Sequence, residues 1–355
     1  MRALDTPFEL LTFALLPDLG PRKIVELRAL GTLSAIAKAP ESARGILSPE
    51  AIQRLRCGDA QRVAAAERQR SEALGLRLIG LDEADYPALL RQIFDPPSVL
   101  YVRGGLASCR QEVPAVAIVG ARGASPQGAS LARAIARDLA AAGVVIVSGL
   151  ARGIDTAAHR GALDAGGVTL AIQGRGMDGI YPAENARLAA AIVAAGGAVL
   201  GECPLGIGPR AENFPRRNRI IAGLTQATIV VEATRRSGAL ITARVALDEG
   251  RDVMAVPGHP SDERSFGPNA LIRDGALLVR DAADVAAEIA VELPATRAGI
   301  SEDGLLGALR PDVPASLEDL AARSGLRVPA LLARLTELEM GAKVRRLPGP
   351  LFVRA

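Results

Sequence analysis

Histidine and cysteine are scarce in this sequence of 355 residues, and their scarcity excludes several kinds of site. The two histidines belong to no HExxH or Ser-His-Asp pattern, so a zinc site and a hydrolase triad both lack parts that they need. The three cysteines stand far apart, which fits a reducing compartment and no disulfide framework. We therefore predict a cytoplasmic protein that holds no metal and no cofactor.

Long apolar runs are absent as well. No stretch of 18 apolar residues occurs anywhere in the sequence. The N-terminal segment carries Asp5, Glu9 and Pro17 around a short apolar run, which is unlike a signal peptide. The sequence therefore predicts no membrane insertion.

The remaining composition is that of an ordered globular protein, with 49% hydrophobic and 23% charged residues, and its length allows two or three domains. The 42 basic and 39 acidic residues nearly balance, so the net charge of +3 does not by itself indicate nucleic acid. Only three basic residues are lysines, and arginine can grip phosphate through two hydrogen bonds and stack on bases. A coding bias toward arginine would give the same composition, so the argument depends on local clusters.

The first part of the chain predicts helices and then a connector. Residues 1–75 show helical apolar spacing with a break at 17–21, which indicates a helical-hairpin domain. Residues 76–114 are predicted to be a connector, because Asp95, Pro96 and Pro97 stop regular structure. This connector and the region that follows it form the second predicted domain, over 76–288.

The central region predicts a Rossmann-like α/β domain. Seven apolar runs alternate there with alanine-rich helical stretches. Each run is continuously hydrophobic, as is typical of parallel strands that are buried on both faces. We therefore predict a doubly wound parallel sheet over 115–288. The runs are AVAIVGA, GVVIVSG, GVTLAIQ, GAVLGE, ATIVVEA, RDVMAVPG and GALLVRD.

The last part of the chain, residues 300–355, predicts a winged helix-turn-helix domain. Ser316 to Asp319 fit a capping box that opens one helix, and Val328 and Pro329 open the next. Two short strands about the turn PGP follow. Three helical segments and a terminal hairpin give the winged-helix order.

The loops that follow the central strands are the expected place for an anion, because helix N-termini with free amides converge there. The first loop contains Gly120 and Arg122, and the second contains Ser148, Gly149 and Arg152. Glycine permits a ligand to approach the backbone closely, and the guanidinium group of arginine can donate two parallel hydrogen bonds to an anion. Each loop is also a common type of turn, so binding and simple packing both stay open.

The segment FPRRNR, residues 214–219, is the densest cationic cluster. Its arginines, its aromatic ring and its amide supply phosphate contacts, a stacking face and a base-edge partner, the mixture that proteins use on single strands. The structural alternative is a solvated basic loop, or arginines that cap the buried run beginning at Ile220.

A nucleotide enzyme is the competing interpretation. Residues 174–179 match G-x-G-x-x-G after a strand, and Glu202 ends the next strand, where it could bind a ribose. Against this, Tyr181 and Pro182 delay the helix that would bind a pyrophosphate, so a simple turn is favoured. Glu232 lies near another glycine turn, for which contact with a phosphate or a nucleotide and simple tight packing both stay open.

Asp155 and His159 stand four residues apart, on one face of a predicted helix. The spacing suggests acid–base chemistry. An oriented structural pair is the favoured interpretation, because the only other histidine, His259, is remote in the sequence.

An ordered set of motifs covers almost all of residues 115–280: GAR, SGLARGIDTAAH, GRGMDGIYPAEN, FPRRNRIIAGL, VVEA, SGALITAR, AVPG and SFGPNALIRDGA. Together these motifs resemble the DNA processing protein A (DprA/Smf) family. The resemblance implies a protein without catalytic activity that binds incoming single-stranded DNA. It also implies a homodimer, formed through the Rossmann-like domain, that helps to load the RecA recombinase during natural transformation.

The resemblance further implies a DNA-binding pocket. Two residues depart from the family pattern: Gln173, where an aliphatic strand residue is common, and Arg175, where a small residue is common. These departures bear on the geometry of one loop. Matched by motif, the pocket residues are Gly120, Arg122, Phe214, Arg216, Arg217, Asn218 and Arg219, with Ser148, Gly149 and Arg152 at its border.

Two other functions stay open at this point. A nucleotide-hydrolysing Rossmann-like enzyme, similar to the phosphoribohydrolases, would carry a PGGxGTxxE pattern that this sequence lacks. A transcription regulator would read duplex DNA with its winged helix, but residues 328–339 offer only Arg334 against Glu337 and Glu339. Lys343, Arg345 and Arg346 in the wing could contact a phosphate or a protein partner.

Overall fold

The structure, a computed structural model, describes residues 4–106, 113–294, 305–306, 309, 313–324, 326–347, 349 and 351–355. It divides into two compact units, Met1–Leu293 and Pro294–Ala355. The predicted boundary between residues 75 and 76 falls inside the first unit, so a separate N-terminal domain stays a prediction. In the described part of the chain, no helix is both long enough and apolar enough to cross a membrane.

The described N-terminal residues form the helices α1 (Pro7–Ala14), α2 (Pro21–Leu30), α3 (Leu33–Lys38), α4 (Pro49–Arg56) and α5 (Asp59–Ala73). Thr6 opens α1 with a capping box, in which its hydroxyl accepts from the Glu9 amide and the Glu9 carboxylate accepts from the Thr6 amide. Proline stands in the first turn of α1, α2 and α4, where its missing N–H costs no hydrogen bond. The predicted break at 17–21 thus separates two helices.

These helices share a core with the sheet. The buried Glu67 carboxylate on α5 accepts from the Tyr101 hydroxyl at 3.0 Å and from the Leu205 amide at 2.6 Å. One continuous apolar cluster includes Leu10 and Phe13 of α1 together with strand residues. The helical region therefore packs on the α/β region as part of a single core.

Residues 76–114, predicted as a connector, contain two strands. β1 (Arg77–Gly80) and β2 (Val99–Gly104) pair antiparallel, and a short helix, α6 (Ala88–Arg91), lies between them. The prediction was wrong because prolines 96 and 97 stop regular structure only locally. The run after them is buried from Val99 to Val102 and pairs with the main sheet.

All seven predicted apolar runs contain a strand, which confirms the α/β prediction. Three short 3-10 turns occupy Pro40–Ala43, Ala183–Asn185 and Glu263–Ser265. The elements are β3 (Ala115–Val119), α7 (Pro126–Ala141), β4 (Val145–Ser148), α8 (Ile154–Asp164), β5 (Thr169–Ile172), α9 (Ala186–Ala194), β6 (Ala198–Gly201), α10 (Asn213–Gly223), β7 (Ala227–Val230), α11 (Gly238–Asp248), β8 (Asp252–Ala255), α12 (Phe266–Arg273), β9 (Leu277–Leu278) and α13 (Ala282–Glu288).

Within the described residues of the first unit, strands β1 to β9 form one nine-stranded sheet in the order β1-β2-β6-β5-β4-β3-β7-β8-β9. Strands β3 to β9 are parallel. The chain proceeds from β3 outward through β4, β5 and β6, and then returns to the other side of β3 with β7. The strand order therefore reverses between β3 and β7, and doubly wound sheets open a ligand-binding crevice at such a switch point.

The sheet is buried on both faces. In β3, Val116 and Ile118 belong to one apolar cluster, with α7, α8 and α13, while Ala117 and Val119 belong to another. This alternation explains why the strand sequences are continuously hydrophobic, since both sets of side chains leave water.

The second unit contains β10 (Ala315–Ser316), α14 (Leu317–Ser324), α15 (Val328–Met340), β11 (Val344–Leu347) and β12 (Leu351–Arg354), with β12 between β10 and β11. Ser316 caps α14 as predicted, because its hydroxyl accepts from the Asp319 amide at 3.0 Å. Leu331, Leu335 and Leu338 of α15 lie in its core. The first of the three predicted helical segments falls largely outside the described residues.

Candidate functional site

A cleft of about 840 Å³ opens at the switch point, beyond the carboxyl ends of β3 and β7. Residues 120–123, which follow β3, form one wall, and residues of α10 form the second. The third wall is the loop after β7 together with the first turn of α11, including Ser237, Gly238 and Ala239. The Ser237 hydroxyl accepts from the Ala239 amide, and the positive end of the helix dipole favours an anion, so this cleft suits a phosphate.

Arg122, Phe214 and Tyr181 stack together in the cleft. The guanidinium carbon of Arg122 lies 5.2 Å from the centroid of the Phe214 ring. The Tyr181 and Phe214 ring centroids are 5.6 Å apart, with the rings tilted by 46°. Arg122 is exposed, and in the described part of the chain no carboxylate pairs with it. Its charge and the aromatic surface are therefore available to a ligand that is both anionic and aromatic.

Two glycines position the loop that carries Arg122. A Cβ atom at Gly120 would lie 2.6 Å from Cγ1 of Ile154 in α8. Gly153, which precedes α8, has φ 72°, and a Cβ atom there would lie 2.7 Å from the carbonyl oxygen of Arg122. The loops after β3 and β4 can pack this closely only because both residues lack side chains.

Arg217 lies at the floor of the cleft rather than at its mouth. It is 6% exposed, and its guanidinium donates to the carbonyl oxygens of Ile172 and, at 2.5 Å, Gly149. These carbonyls lie at the ends of β5 and β4. Burial lowers the pKa of Arg217 to about 10, although the nearby Asp155 carboxylate opposes the shift. Arg217 therefore joins the ends of β4 and β5 through hydrogen bonds. It also adds positive charge at the floor of the cleft, behind the stack of Arg122, Phe214 and Tyr181.

Asp155 and His159 share a helix face but have different partners. The Asp155 carboxylate accepts from the amides of Gly149, at 3.1 Å, and Ala151, at 3.3 Å. Burial raises its pKa, while Arg217 and these amides act in the opposite direction. His159 Nδ1 lies 2.7 Å from the hydroxyl of Thr169. Each side chain thus fixes backbone or strand structure, and the structure gives no hydrogen bond between the two.

Arg216 and Arg219, which were predicted to line the pocket, lie outside the cleft. Arg219 is buried and contacts Glu202 at 2.6 Å and Asp95 at 3.2 Å. Arg216 is half exposed and lies 3.2 Å from the other oxygen of Glu202. Their charges are therefore balanced by carboxylates on the side of α10 away from the cleft.

The helical form of FPRRNR explains this separation. The cluster was considered as a loop, but it opens α10, in which successive side chains point about 100° apart. Phe214, Arg217 and Asn218 have the spacing i, i+3, i+4 and share the face that lines the cleft. Asn218 also donates to the Gly238 carbonyl at 3.3 Å, so it links α10 to the start of α11.

Of the predicted residues at the end of β4 and after it, one is structural and two lie beside the cleft. Ser148 is buried and donates to the Ile118 carbonyl at 2.7 Å, so it joins two strands and does not line the cleft. Gly149 and Arg152 line a small recess beside the cleft, together with Arg122 and Phe214. Arg152 is exposed and pairs with Glu184 at 2.6 Å.

The glycine loop at 174–179 does not have the form of a dinucleotide site. A Cβ atom at Gly176 would lie 2.5 Å from the Pro204 carbonyl, and the Gly176 amide donates to Ile207 at 2.8 Å. The loop is thus packed against the chain after β6. The next α-helix begins only at Ala186, so the glycine loop does not lead into a helix N-terminus that could bind a pyrophosphate. Glu202 is already paired with Arg219, so its carboxylate is not free to bind a ribose.

Glu232, the other carboxylate considered for a nucleotide, caps a helix. It accepts from the Ser125 amide at 2.9 Å and from the Ser125 hydroxyl at 2.5 Å, at the start of α7. Gly128 in the first turn leaves room for it, since a Cβ atom there would lie 2.5 Å from its carboxyl carbon. Neither Glu202 nor Glu232 lines the cleft.

Three aromatic or cationic residues of the cleft were not among the predicted site residues. In the sequence, Tyr181 indicates only a delayed helix, and Arg236 belongs only to a glycine turn. No sequence pattern singles out Arg264. Arg236 could have been found from its place after β7 at the switch point, but Arg264 follows β8 by nine positions, and only the tertiary fold brings it to the cleft.

The comparisons with known proteins agree with the motifs. Residues 77–290 match the family described as DNA recombination-mediator protein A, and residues 293–350 match the DprA winged helix domain. Protein Smf of Escherichia coli K12 is 40% identical over 285 residues, which cover 77% of this chain and 76% of that protein. DNA processing protein DprA of Streptococcus pneumoniae R6 is 47% identical over 203 residues, covering 57% and 71%.

Solved structures show the same relationship. The X-ray structure of DNA processing protein A from Streptococcus pneumoniae has a TM-score of 0.69 and 36% identity, and the match covers 83% of this chain and all of that one. DNA processing protein A from Helicobacter pylori, studied for its single-stranded DNA binding mode, has a TM-score of 0.52 and 27% identity, with coverage of 60% and 96%. These matches confirm the resemblance and the predicted fold class.

Proposed function

Because this chain belongs to the DNA recombination-mediator protein A family, we propose that it binds single-stranded DNA, without strong sequence preference, in the cleft between β3 and β7. The observation that carries the proposal is the stack of Arg122, Phe214 and Tyr181 beside the N-terminus of α11. An unpaired base of any sequence can stack on the two rings, while Arg122 donates to its phosphate and the positive end of the α11 dipole attracts it. The named subject of the Helicobacter pylori structure, single-stranded DNA binding, supports the same assignment.

We extend the proposal to the protein's role. The bound strand is presented to the RecA recombinase during DNA uptake and recombination, in the cytoplasm and without a catalytic step. This part depends on family membership. Its test is a RecA filament assay on DNA coated with single-strand-binding protein, in which the chain should shorten the lag. An unchanged lag would remove the loading role and leave the binding proposal standing.

The DNA-binding experiment is fluorescence anisotropy with labelled oligo-dT and an equivalent duplex. Arg122→Ala should weaken single-strand binding about tenfold, because a charge-assisted contact is lost. It should also reduce the slope of log K against log salt by about one. The matched control is Arg137→Ala, since Arg137 is a half-exposed arginine on α7 that pairs with its neighbour Asp138 at 2.9 Å.

The proposal has clear contrary outcomes. Equal affinity for duplex and single strand would contradict it, and so would equal losses for Arg122→Ala and Arg137→Ala. The alternative function is a nucleotide-binding or nucleotide-hydrolysing enzyme. Turnover of a nucleotide, or micromolar binding that Arg122→Ala abolishes, would favour that function instead.

We also propose a homodimer formed through the Rossmann-like domain. β9 is the edge strand of the sheet, and its two residues, Leu277 and Leu278, are 43% and 44% exposed. An apolar edge strand is open to pairing with another chain. Sedimentation of the full chain should show a dimer that Leu277→Lys dissociates, and a monomeric unmodified protein would contradict this.

A further inference from the structure

A second arginine–aromatic pair lies close in sequence to Arg236 and Arg264, two residues that line the cleft. The guanidinium carbon of Arg235 is 3.7 Å from the centroid of the Phe266 ring. Arg235 follows β7, and Phe266 is the first residue of α12. Both side chains are exposed, and 37% of Phe266 is accessible to solvent. An exposed ring under an exposed guanidinium group is not explained by core packing.

Backbone hydrogen bonds hold the two segments that carry this pair together. The Ala233 amide donates to the Arg264 carbonyl at 2.7 Å, and the Gly267 amide donates to the Ala233 carbonyl at 2.8 Å. The loop after β7 and the start of α12 are therefore tied together on both sides of Phe266. A Cβ atom at Gly267 would lie 2.7 Å from that carbonyl, so glycine beside Phe266 permits the close approach.

Two arginines that are close in sequence to this pair give the adjoining wall of the cleft a positive charge. Arg236, which follows Arg235, and Arg264, two residues before Phe266, both line the cleft. Arg264 is paired with Asp262 at 3.0 Å. Within the described ranges, no carboxylate pairs with Arg235 or Arg236. A nucleic-acid backbone that leaves the cleft on this side would therefore pass two uncompensated cations.

We propose that Phe266 and Arg235 form a second stacking site, which binds a base of the same single strand that occupies the Phe214 stack. Bases stack on aromatic rings and on arginine planes alike, and Arg236 would contact the intervening phosphate. This inference rests on the proposed function of the cleft. It adds that the strand crosses the cleft from α10 to α12, and that a short oligonucleotide can fill only one of the two stacking sites.

The test measures affinity for oligo-dT of about 4 and about 16 nucleotides, lengths that bracket common single-strand site sizes. Phe266→Ala should weaken binding of the long oligonucleotide about tenfold and that of the short one less than about twofold. Phe266→Tyr should restore the long-oligonucleotide affinity, since it keeps the ring. The matched control is Phe94→Ala, because Phe94 is also an exposed ring under an arginine, Arg22 at 4.4 Å, but no residue within five positions of Phe94 lines the cleft.

Crosslinking of the unmodified protein gives a readout that does not depend on variant folding. Oligo-dT with a single 5-iodouracil at successive positions should crosslink to Phe214 from one position and to Phe266 from another. Crosslinks to Phe214 alone, or equal losses for Phe266→Ala and Phe94→Ala, would overturn the second stacking site while the cleft proposal stands. A wild-type protein that binds neither oligonucleotide would overturn the proposed function itself.

Discussion

Arg217 occupies the space that a side chain at residue 149 would need. A Cβ atom at Gly149 would lie 2.5 Å from Cζ of Arg217, whose guanidinium donates to the Gly149 carbonyl. Because Arg217 is buried and bonded to two strand ends, it cannot move away cheaply. The site thus depends on a glycine that contacts the arginine rather than the ligand.

Gly149→Ala should therefore lower the free energy of unfolding by about 1–3 kcal/mol, the usual cost of overpacking a buried site. It should also weaken single-strand binding, because displaced Arg217 disturbs the helix that carries Phe214. Urea unfolding and anisotropy measure the two effects. Gly123→Ala is the control in the same cleft, since a Cβ atom there meets nothing within 4 Å. Equal stability of the two variants would contradict the packing argument.

The arginines of α10 should separate into structural and surface residues. Arg219→Ala leaves the Glu202 carboxylate without its closer partner, so we expect a loss of about 3–5 kcal/mol in the free energy of unfolding. Arg216 is half exposed, and Arg216→Ala should cost no more than about 1 kcal/mol. Urea unfolding of both variants tests this difference. A loss for Arg216→Ala as large as that for Arg219→Ala would show that Arg219 is not the main partner of Glu202.

The buried His159 should make stability depend on pH. Thr169 donates its hydroxyl hydrogen to the Ile146 carbonyl, so it accepts from His159 Nδ1, and Nε2 is left without a partner. Burial, together with the charge of Arg217, lowers the pKa of His159 to about 3 from an ordinary value of 6.5. Between these values the unfolded chain binds a proton that the folded chain does not bind, so stability is lost as the pH falls.

The slope from this group is about 1.4 kcal/mol per pH unit below pH 6.5. Urea unfolding from pH 8 to pH 5 should show a smaller loss for His159→Gln than for the unmodified chain, because every other group titrates alike in both. Parallel curves for the two proteins would mean that His159 takes up a proton in the folded state.

The sequence predicted the strands well because their signal is local. The run from Val116 to Val119 is apolar at every position, and burial on both faces of β3 requires that. Strands β1 and β2 were missed because the prolines before β2 indicate a break in regular structure. β2 pairs with β1 on one side and with β6 on the other, and the pairing with β6 joins residues that are distant in sequence.

The candidate site was predictable only in part, for a geometric reason. Charges that are adjacent in FPRRNR separate on a helix, so counting arginines could not tell Arg217 from Arg219. Arg122 was found because it lies in a loop at a strand end, and Phe214 because it stands in the densest cationic cluster of the sequence. Arg264 reaches the cleft from the far side of β8, and no spacing in the sequence indicates that.

Gln173, a departure from the family pattern, provides the last prediction. Its side chain is buried, accepts from the Tyr181 amide at 3.0 Å and donates to the Gly179 carbonyl at 3.2 Å. An aliphatic residue would leave both backbone groups without these bonds. Gln173 therefore fixes the loop that places the Tyr181 ring beside Phe214.

Gln173→Leu should lower the free energy of unfolding by about 1–3 kcal/mol, since two hydrogen bonds to partly buried backbone groups are lost. It should also weaken oligo-dT binding, because Tyr181 is no longer held against Phe214. Tyr181→Ala separates the two effects: it should reduce affinity by a similar factor and leave stability nearly unchanged, as 40% of Tyr181 is exposed. If Gln173→Leu lowers stability and leaves affinity intact, the loop does not depend on Gln173 to present the ring, and the stacking surface reduces to Phe214 and Arg122.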